Sequence, residues 1–204
     1  GGQGAVLSTG GGQRIGYYLA EKVLALGAEV IVSYRTPRPQ IDKLKQKGAI
    51  AILADFSSER EVVEFIESVK SRSNNLRAII HNASMWSKDA SVLSDPRHFT
   101  ELVNVHMLAP YLINHQCREL LEAGEGLKDV IALTDYTVSK GSDKHGAYLA
   151  TKAGLESMTL SFAKLFAPTI KVNAIAPALI MFNEGDTEEY KEDRLKRSAL
   201  QVEP

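Results

Sequence analysis

The chain of 204 residues has a single cysteine, Cys117, so it cannot form an internal disulfide, and its helical context is typical of a core residue. No apolar run is long enough to cross a bilayer, and residues 1–12 lack the basic start and apolar stretch of a signal peptide. A formal net charge of −1 gives no general attraction for nucleic acid. The histidines at positions 81, 98, 115 and 145 have no metal-ligand spacing. We therefore expect a cytoplasmic protein without a membrane, nucleic-acid or metal partner.

Short apolar runs alternate with amphipathic helical patterns along the whole chain. The runs are apolar on both faces, which is typical of parallel strands covered by helices on each side. This alternation predicts an α/β fold, a doubly wound parallel sheet of the Rossmann type, as one domain over residues 1–204. The predicted strands span residues 5–8, 29–34, 49–55, 76–84, 129–135 and 170–177. The predicted helices span residues 14–26, 40–48, 58–72, 95–121 and 146–167, and residues 184–198 form a solvated helix or a mobile loop.

The first predicted strand leads into the segment "STGGGQRIG", residues 8–16, which opens the first helix. Glycines allow a tight turn and let the backbone approach a pyrophosphate, which the helix N-terminus then attracts. Arg14 adds a cation beside this predicted phosphate site. The alternatives are a flexible glycine turn and an arginine that is merely on the surface.

The second strand ends in "SYRTPRP", where a fold that binds NAD would place an acid for the ribose hydroxyls. Residues 33–40 contain no acid but include Arg35 and Arg38. A guanidinium suits a 2′-phosphate, so this loop predicts NADPH rather than NADH, unless the arginines only solvate a turn. After the third strand, Asp55 could accept from the adenine amino group, or could belong to a helix cap like Ser57 or Ser58.

Tyr-x-x-x-Lys occurs three times, at Tyr18, Tyr136 and Tyr148. The first pair lies beyond the first turn of its helix, and the second lies in a serine-rich loop. Tyr148 and Lys152 begin a strong helix, so both side chains share one face. A nearby ammonium is expected to lower the tyrosine pKa and make the phenol a usable general acid. The alternative is a half-buried core tyrosine with a snorkelling lysine.

Together, the glycine loop, "HNAS" at residues 81–84, the Tyr148/Lys152 pair and "NAIAPA" at residues 173–178 resemble the short-chain dehydrogenase/reductase family. The resemblance covers essentially the whole chain and implies that Tyr148 donates a proton while Lys152 holds the nicotinamide ribose. Four departures resemble the pteridine reductase branch: Asp135 for the usual strand-end serine, Arg14 for the second glycine, "HNAS" for Asn-Asn-Ala-Gly, and Trp86.

This resemblance implies NADPH-dependent reduction of 7,8-dihydropterins, such as dihydromonapterin or dihydrofolate, with hydride added at C6 and a proton at N5. A carboxylate at the strand end accepts hydrogen bonds, which suits a substrate that presents N–H groups. The implied catalytic set is Asp135, Tyr148 and Lys152. The implied substrate contacts are Arg14, Ser84, Trp86, Asp135 and Tyr148. The implied cofactor contacts are Gly10, Arg14, Ile15, Tyr34, Arg35, Thr36, Asp55, Phe56, Asn82, Ala83, Ser84, Thr134, Tyr148, Lys152 and Pro177.

Several points stay open on the sequence alone. His106 occupies a position where the family commonly has a relay asparagine, and it either replaces that residue or only packs. The family normally continues with another helix and a seventh strand, which we expect to be lacking here, and it suggests a homodimer or homotetramer. The segment 178–198 is expected to cover the substrate. Two other functions are a carbonyl or quinone reductase of the same fold and a non-catalytic protein that senses a dinucleotide or acts as a scaffold.

Overall fold

A computed structural model describes residues 3–178 and 185–198. Six strands form one parallel sheet in the order β3-β2-β1-β4-β5-β6, so the chain reverses direction across the sheet between β1 and β4. The predicted doubly wound α/β sheet is confirmed. The strands are β1 Ala5–Ser8, β2 Val30–Tyr34, β3 Ile50–Leu53, β4 Leu76–His81, β5 Lys128–Leu133 and β6 Ile170–Ile175.

Helices cover both faces of the sheet. They are α1 Arg14–Ala25, α2 Pro39–Gln46, α3 Glu59–Arg72, α4 Asp89–Ser94, α5 Arg97–Val103, α6 Ala109–Glu122, α7 Gly146–Phe166 and α8 Glu188–Arg197. A π-helical turn, Asn104–Leu108, joins α5 to α6, and a 3₁₀ turn, Tyr136–Ser139, follows β5. Among the described residues, no helix combines the length and apolarity needed to span a membrane.

The core lies in two layers because each strand is apolar on both sides. Helices α1 and α2 pack on one face, where Val32 and Ile41 are buried together. Helices α3, α6 and α7 pack on the other, where Leu7, Phe65 and Phe166 are buried. Cys117 is part of that second layer, as its helical context predicted. Burial raises the pKa of its thiol to about 12, so it is not a nucleophile.

The structure corrects several element boundaries. Strands β4 and β6 end at His81 and Ile175, earlier than expected, because small apolar loop residues such as Ala83 extend the apolar pattern beyond the strands. The long helix begins at Arg97 and contains the π-turn, and the short helix α4 was not predicted. Helix α8 lies within the segment 184–198, for which a helix was one of the two expectations, and it has no buried residue. Residues 179–184 of the expected substrate segment lie outside the described part.

Candidate active site

The predicted site residues converge on one edge of the sheet. Each lies just after the carboxyl end of a strand or on α7, where ligands bind in doubly wound sheets. Gly10, Arg14 and Ile15 follow β1; Tyr34, Arg35 and Thr36 end or follow β2; Asp55 and Phe56 follow β3; Asn82, Ala83, Ser84 and Trp86 follow β4; Thr134 and Asp135 follow β5; Tyr148 and Lys152 lie on α7; and Pro177 follows β6.

The glycine loop is held against the loop after β4. Thr9 Oγ1 accepts from the backbone N–H groups of Asn82 and Ala83 at 3.1 and 3.0 Å, and Asn82 Nδ2 donates to the Gly10 carbonyl at 2.9 Å. A Cβ on Gly10, whose φ is +73°, would lie 2.9 Å from the Ala83 Cα atom, and one on Gly16 would lie 1.9 Å from the Gly10 carbonyl oxygen. Both positions therefore require glycine, because any side chain there would collide with neighbouring backbone.

The same loop passes close to Arg38, one of the two arginines that follow β2. A Cβ built on Gly12 would lie 3.7 Å from the Arg38 Cδ atom, so the arginine stem borders the glycine loop. Arg35 and Arg38 are both exposed. This arrangement of a glycine cradle and two guanidinium groups fits the pyrophosphate and 2′-phosphate of NADPH.

The residues after β3 serve the fold as well as the predicted adenine site. Asp55 Oδ1 accepts from both the N–H and the hydroxyl of Ser57, at 3.0 and 2.8 Å. Phe56 is buried edge-to-face against Phe65 at a centroid distance of 5.1 Å. Ser58 caps α3 by accepting from the Glu61 N–H. An adenine contact from Asp55 or Phe56 stays a prediction.

Burial distinguishes the three Tyr-x-x-x-Lys pairs. Tyr18 and Tyr136 are exposed, and in each case the lysine rests over its own tyrosine ring, 5.3 and 4.8 Å from the centroid. Tyr148 and Lys152 are 7% and 4% exposed, and the Lys152 Nζ atom lies 6.0 Å from the Tyr148 centroid. The pair chosen for its place near a helix start is thus the enclosed one of the three, and charges act strongly in such a setting.

Asp135 is hydrogen-bonded to Tyr148. The Tyr148 hydroxyl donates to Asp135 Oδ2 at 3.3 Å, while Asp135 Oδ1 accepts from the Thr137 N–H at 2.8 Å as the cap of the 3₁₀ turn. The carboxylate therefore has both a structural and a site-facing oxygen. Asp135 therefore caps the 3₁₀ turn and contacts Tyr148 at the same time.

The expectation that the pKa of Tyr148 lies below its ordinary value is wrong, because the net shift is upward. Burial, and then the Asp135 charge, raise the pKa of Tyr148 above its ordinary value. The Lys152 ammonium instead donates to the Leu133 carbonyl at 3.1 Å, and burial lowers the pKa of Lys152 to about 8. Tyr148 is therefore a protonated phenol throughout the neutral range, as a proton donor must be.

Trp86 stands at the mouth of the site. It is 60% exposed and contacts Tyr148 edge-to-face at 4.7 Å between centroids. Its other neighbour is the ring of His145, at 4.2 Å. An exposed indole beside a buried phenol is suited to stacking on a flat ligand.

Sequence reasoning missed one contributor to the site, Asp89, and left the role of a second, His106, open. Asp89 on α4 accepts from the N–H groups of Gly146 and Ala147, at 2.8 and 3.0 Å, and so caps the helix that carries Tyr148. His106 is fully buried and hydrogen-bonded to Ser84. The replacement of the family asparagine by histidine was the one available signal for the second. Nothing in the sequence around Asp89 predicts its contact with Gly146, which lies 57 positions away.

Comparison with known proteins finds reductases along the whole chain. A family model described as enoyl-(acyl carrier protein) reductase matches residues 11–202. A dihydromonapterin reductase of Klebsiella pneumoniae subsp. pneumoniae is 49% identical over 200 residues, which are 98% of this chain and 83% of that protein. A second, of Enterobacter sp. (strain 638), is 48% identical over 203 residues, or 99% and 85% of the two chains.

Solved structures agree with these sequence relatives. The crystal structure of FolM alternative dihydrofolate reductase 1 from Brucella suis in complex with NADP has a TM-score of 0.85 at 25% identity, covering 100% of this chain and 83% of that one. The acetoin dehydrogenase of Enterobacter cloacae has a TM-score of 0.84 at 22% identity, covering 99% and 83%, and shows the fold alone.

Proposed function

Because this chain belongs to the short-chain dehydrogenase/reductase family, we infer that it is an NADPH-dependent reductase of 7,8-dihydropterins, with dihydromonapterin as the first substrate to test and dihydrofolate as the second. The observation that carries the substrate class is the carboxylate of Asp135 at hydrogen-bonding distance from the Tyr148 phenol. A serine at this position can donate to a carbonyl oxygen, whereas a carboxylate accepts from N–H groups, which a pterin ring presents.

The residues present fit NADPH. The glycine loop and the first turn of α1 would hold the pyrophosphate, Arg35 and Arg38 the 2′-phosphate, and Lys152 the nicotinamide ribose. When bound, NADPH supplies the hydride that pterin C6 receives. The role of the chain is to orient the pterin and to provide the proton.

Tyr148 is the proton donor in this proposal. As C6 gains a hydride, the electron pair of the C6=N5 double bond moves to N5, which takes the Tyr148 proton, so the imine becomes a secondary amine. Lys152, as an ammonium on the same helix face, stabilises the phenolate that remains. Asp135 accepts the phenol hydrogen bond before transfer and orients the hydroxyl.

In this proposal Arg14 recognises the pterin by donating a hydrogen bond to its O4 atom. Its φ of +51° lies in the left-handed region that glycine normally occupies, so the chain bears backbone strain to place a guanidinium here. Arg14 also lies close enough to Tyr148 to lower the phenol pKa against the larger effects of burial and Asp135. Its charge therefore reaches the reacting end of the site.

We expect Arg14→Gly to stabilise the fold and to lower the activity on dihydromonapterin. The free energy of unfolding should rise by up to about 1 kcal/mol because the strain is relieved, while kcat/KM for dihydromonapterin falls by about tenfold or more. Arg14→Ala is the matched control, since it removes the guanidinium and keeps the strain. Denaturant titration measures the first effect and steady-state kinetics the second. Wild-type turnover in Arg14→Gly would contradict the proposed contact between Arg14 and the pterin.

We also propose that the protein is a homodimer or homotetramer. Tyr111 on α6, and Leu160 and Leu165 on α7, are exposed at 46%, 69% and 48%, on helices that flank one face of the sheet. Large exposed apolar side chains on neighbouring helices support a self-interface. A solution mass that equals one chain would contradict it.

The test of the proposed function is NADPH oxidation with 7,8-dihydromonapterin, compared with dihydrofolate, a simple ketone and a quinone. We expect kcat/KM to favour the dihydropterin over the ketone by about 100-fold, and NADPH to be preferred over NADH, with the preference reduced in Arg35→Ala. A preference for the ketone or quinone would identify a carbonyl reductase on this fold. Absence of oxidation with every substrate would favour a protein that only binds the dinucleotide.

A further inference from the structure

His106 lies in the middle of the π-turn Asn104–Leu108 and is fully buried. A π-turn is rare inside a helix and frequently occurs at functional sites. Here it places the imidazole between the loop after β4 and helix α7. The ring stands edge-to-face against Tyr148, with 5.4 Å between centroids.

The hydrogen bonds of His106 determine where its proton is. The backbone N–H of Met85 donates to Nε2 at 3.2 Å, so Nε2 carries no hydrogen and accepts. The proton is therefore on Nδ1, which donates to Thr151 Oγ1 at 2.9 Å. The Thr151 hydroxyl in turn donates a hydrogen bond to the Tyr148 carbonyl. Burial, and then the Lys152 charge, lower the pKa of His106 to about 2, so the ring stays neutral.

This assignment fixes the direction of the Ser84 hydroxyl. Ser84 Oγ lies 2.8 Å from His106 Nε2, and since Nε2 only accepts, the Ser84 hydrogen points at His106. Ser84 itself is exposed at the site and also lies within hydrogen-bonding reach of Tyr148. With its hydrogen on His106, what it offers to Tyr148 and to a ligand is the lone pairs of its oxygen. A serine that is otherwise free to donate or accept is restricted to accepting.

We propose that His106 is a positioning residue that sets substrate specificity, because it holds Ser84 as an acceptor for the N3–H of the pterin. The inference rests on the proposed function, in which Arg14 donates to O4, and it adds Ser84, an implied substrate contact, at the neighbouring N3. A donor from Arg14 and an acceptor from Ser84 together match a 2-amino-4-oxo ring. They oppose a 2,4-diamino ring, whose position 4 donates and whose N3 accepts.

The test compares the dissociation constants of a 2-amino-4-oxo pterin and a 2,4-diaminopteridine with the same side chain, both neutral at the working pH and with NADP⁺ present. Trp86 is the single tryptophan of the chain, so its fluorescence reports binding without turnover. In His106→Leu the Ser84 hydroxyl can turn and donate. We expect the preference for the oxo ring to fall by about five- to tenfold, and His106→Gln, which can restore an acceptor, to return it to within about twofold of wild type.

Two controls separate specificity from damage to the fold. Thr151→Val removes the bond on the Nδ1 side of the ring and should leave the preference unchanged. In a Ser84→Ala background, His106→Leu should no longer change the preference, as a double-mutant cycle requires. Equal weakening of both ligands by His106→Leu, or no recovery in His106→Gln with the fold intact, would overturn the inference. Failure of the proposed function is seen separately, as a wild-type protein that does not turn over dihydropterin.

Discussion

Replacing Lys152 by methionine is expected to make the protein more stable at pH 7 and to reduce its turnover of dihydropterin by about 1,000-fold. The loss follows because Lys152 is the cation that balances the Tyr148 phenolate, and general acid catalysis contributes about 100- to 10,000-fold. The gain follows because an ammonium that is 4% exposed is costly to bury. The same side chain is thus essential for the chemistry and unfavourable for the fold.

The lowered pKa of Lys152 also predicts how the stability of the wild-type protein changes with pH. Burial lowers the pKa of Lys152 from 10.5 to about 8, so between these values the unfolded chain holds a proton that the folded chain has released. Wild-type stability should therefore rise from pH 8 to 10.5, and the full cost, on the order of 3 kcal/mol, should be present below pH 8. The Leu133 carbonyl loses its Lys152 donor in the variant, so a net gain of about 1–2 kcal/mol is expected at pH 7.

Denaturant unfolding of wild type and Lys152→Met at several pH values measures this difference, and it should shrink as the pH approaches 10.5. Lys164→Met, an exposed lysine on the same helix, is the matched control and should leave stability within about 0.5 kcal/mol of wild type at every pH. Wild-type turnover should decline above pH 8 as the ammonium deprotonates. A variant that is less stable than wild type at pH 7 and at pH 10 alike would show that burial of the Lys152 ammonium does not destabilise the fold.

Much of the fold could be predicted because its signals are local. The alternation of apolar runs with helical patterns indicated all six strands and most helices, and the placement of Tyr148 and Lys152 near a helix start singled out one pair of three. Tertiary contacts determined the rest. The π-turn that buries His106 depends on packing against α7, and nothing in "NVHMLAP" marks it.

Electrostatic expectations were less reliable than geometric ones for the same reason. The sequence placed Lys152 one helical turn from Tyr148 and so suggested a lowered tyrosine pKa. The folded chain adds two things that the sequence does not show, the burial of the phenol and the carboxylate at 3.3 Å, and both raise that pKa. A pKa depends on the whole environment of a group, whereas helix-face proximity depends only on spacing.

Replacing Asp135 by serine, the usual family residue, is expected to reduce kcat/KM for dihydromonapterin by about 100-fold and to leave reduction of a simple ketone equal or faster. The carboxylate is an acceptor that serves the N–H groups of a pterin, and its loss removes a charge-assisted hydrogen bond next to the reacting atoms. A serine hydroxyl can donate to a carbonyl oxygen, so the ratio of the two activities should change more than either activity alone. Steady-state kinetics with both substrates gives that ratio.

Asp135→Asn separates this role from the structural one. An asparagine can still accept from the Thr137 N–H and so keep the 3₁₀ turn capped, but it presents an amide in place of the negative oxygen that faces Tyr148. If the cap is what matters, Asp135→Asn and Asp135→Ser should both reduce dihydromonapterin as fast as wild type, because both side chains can accept from the Thr137 N–H. If the charge matters, both variants should lose dihydropterin turnover while Asp135→Asn keeps wild-type stability. We expect the second pattern, because the carboxylate uses different oxygens for the cap and for Tyr148.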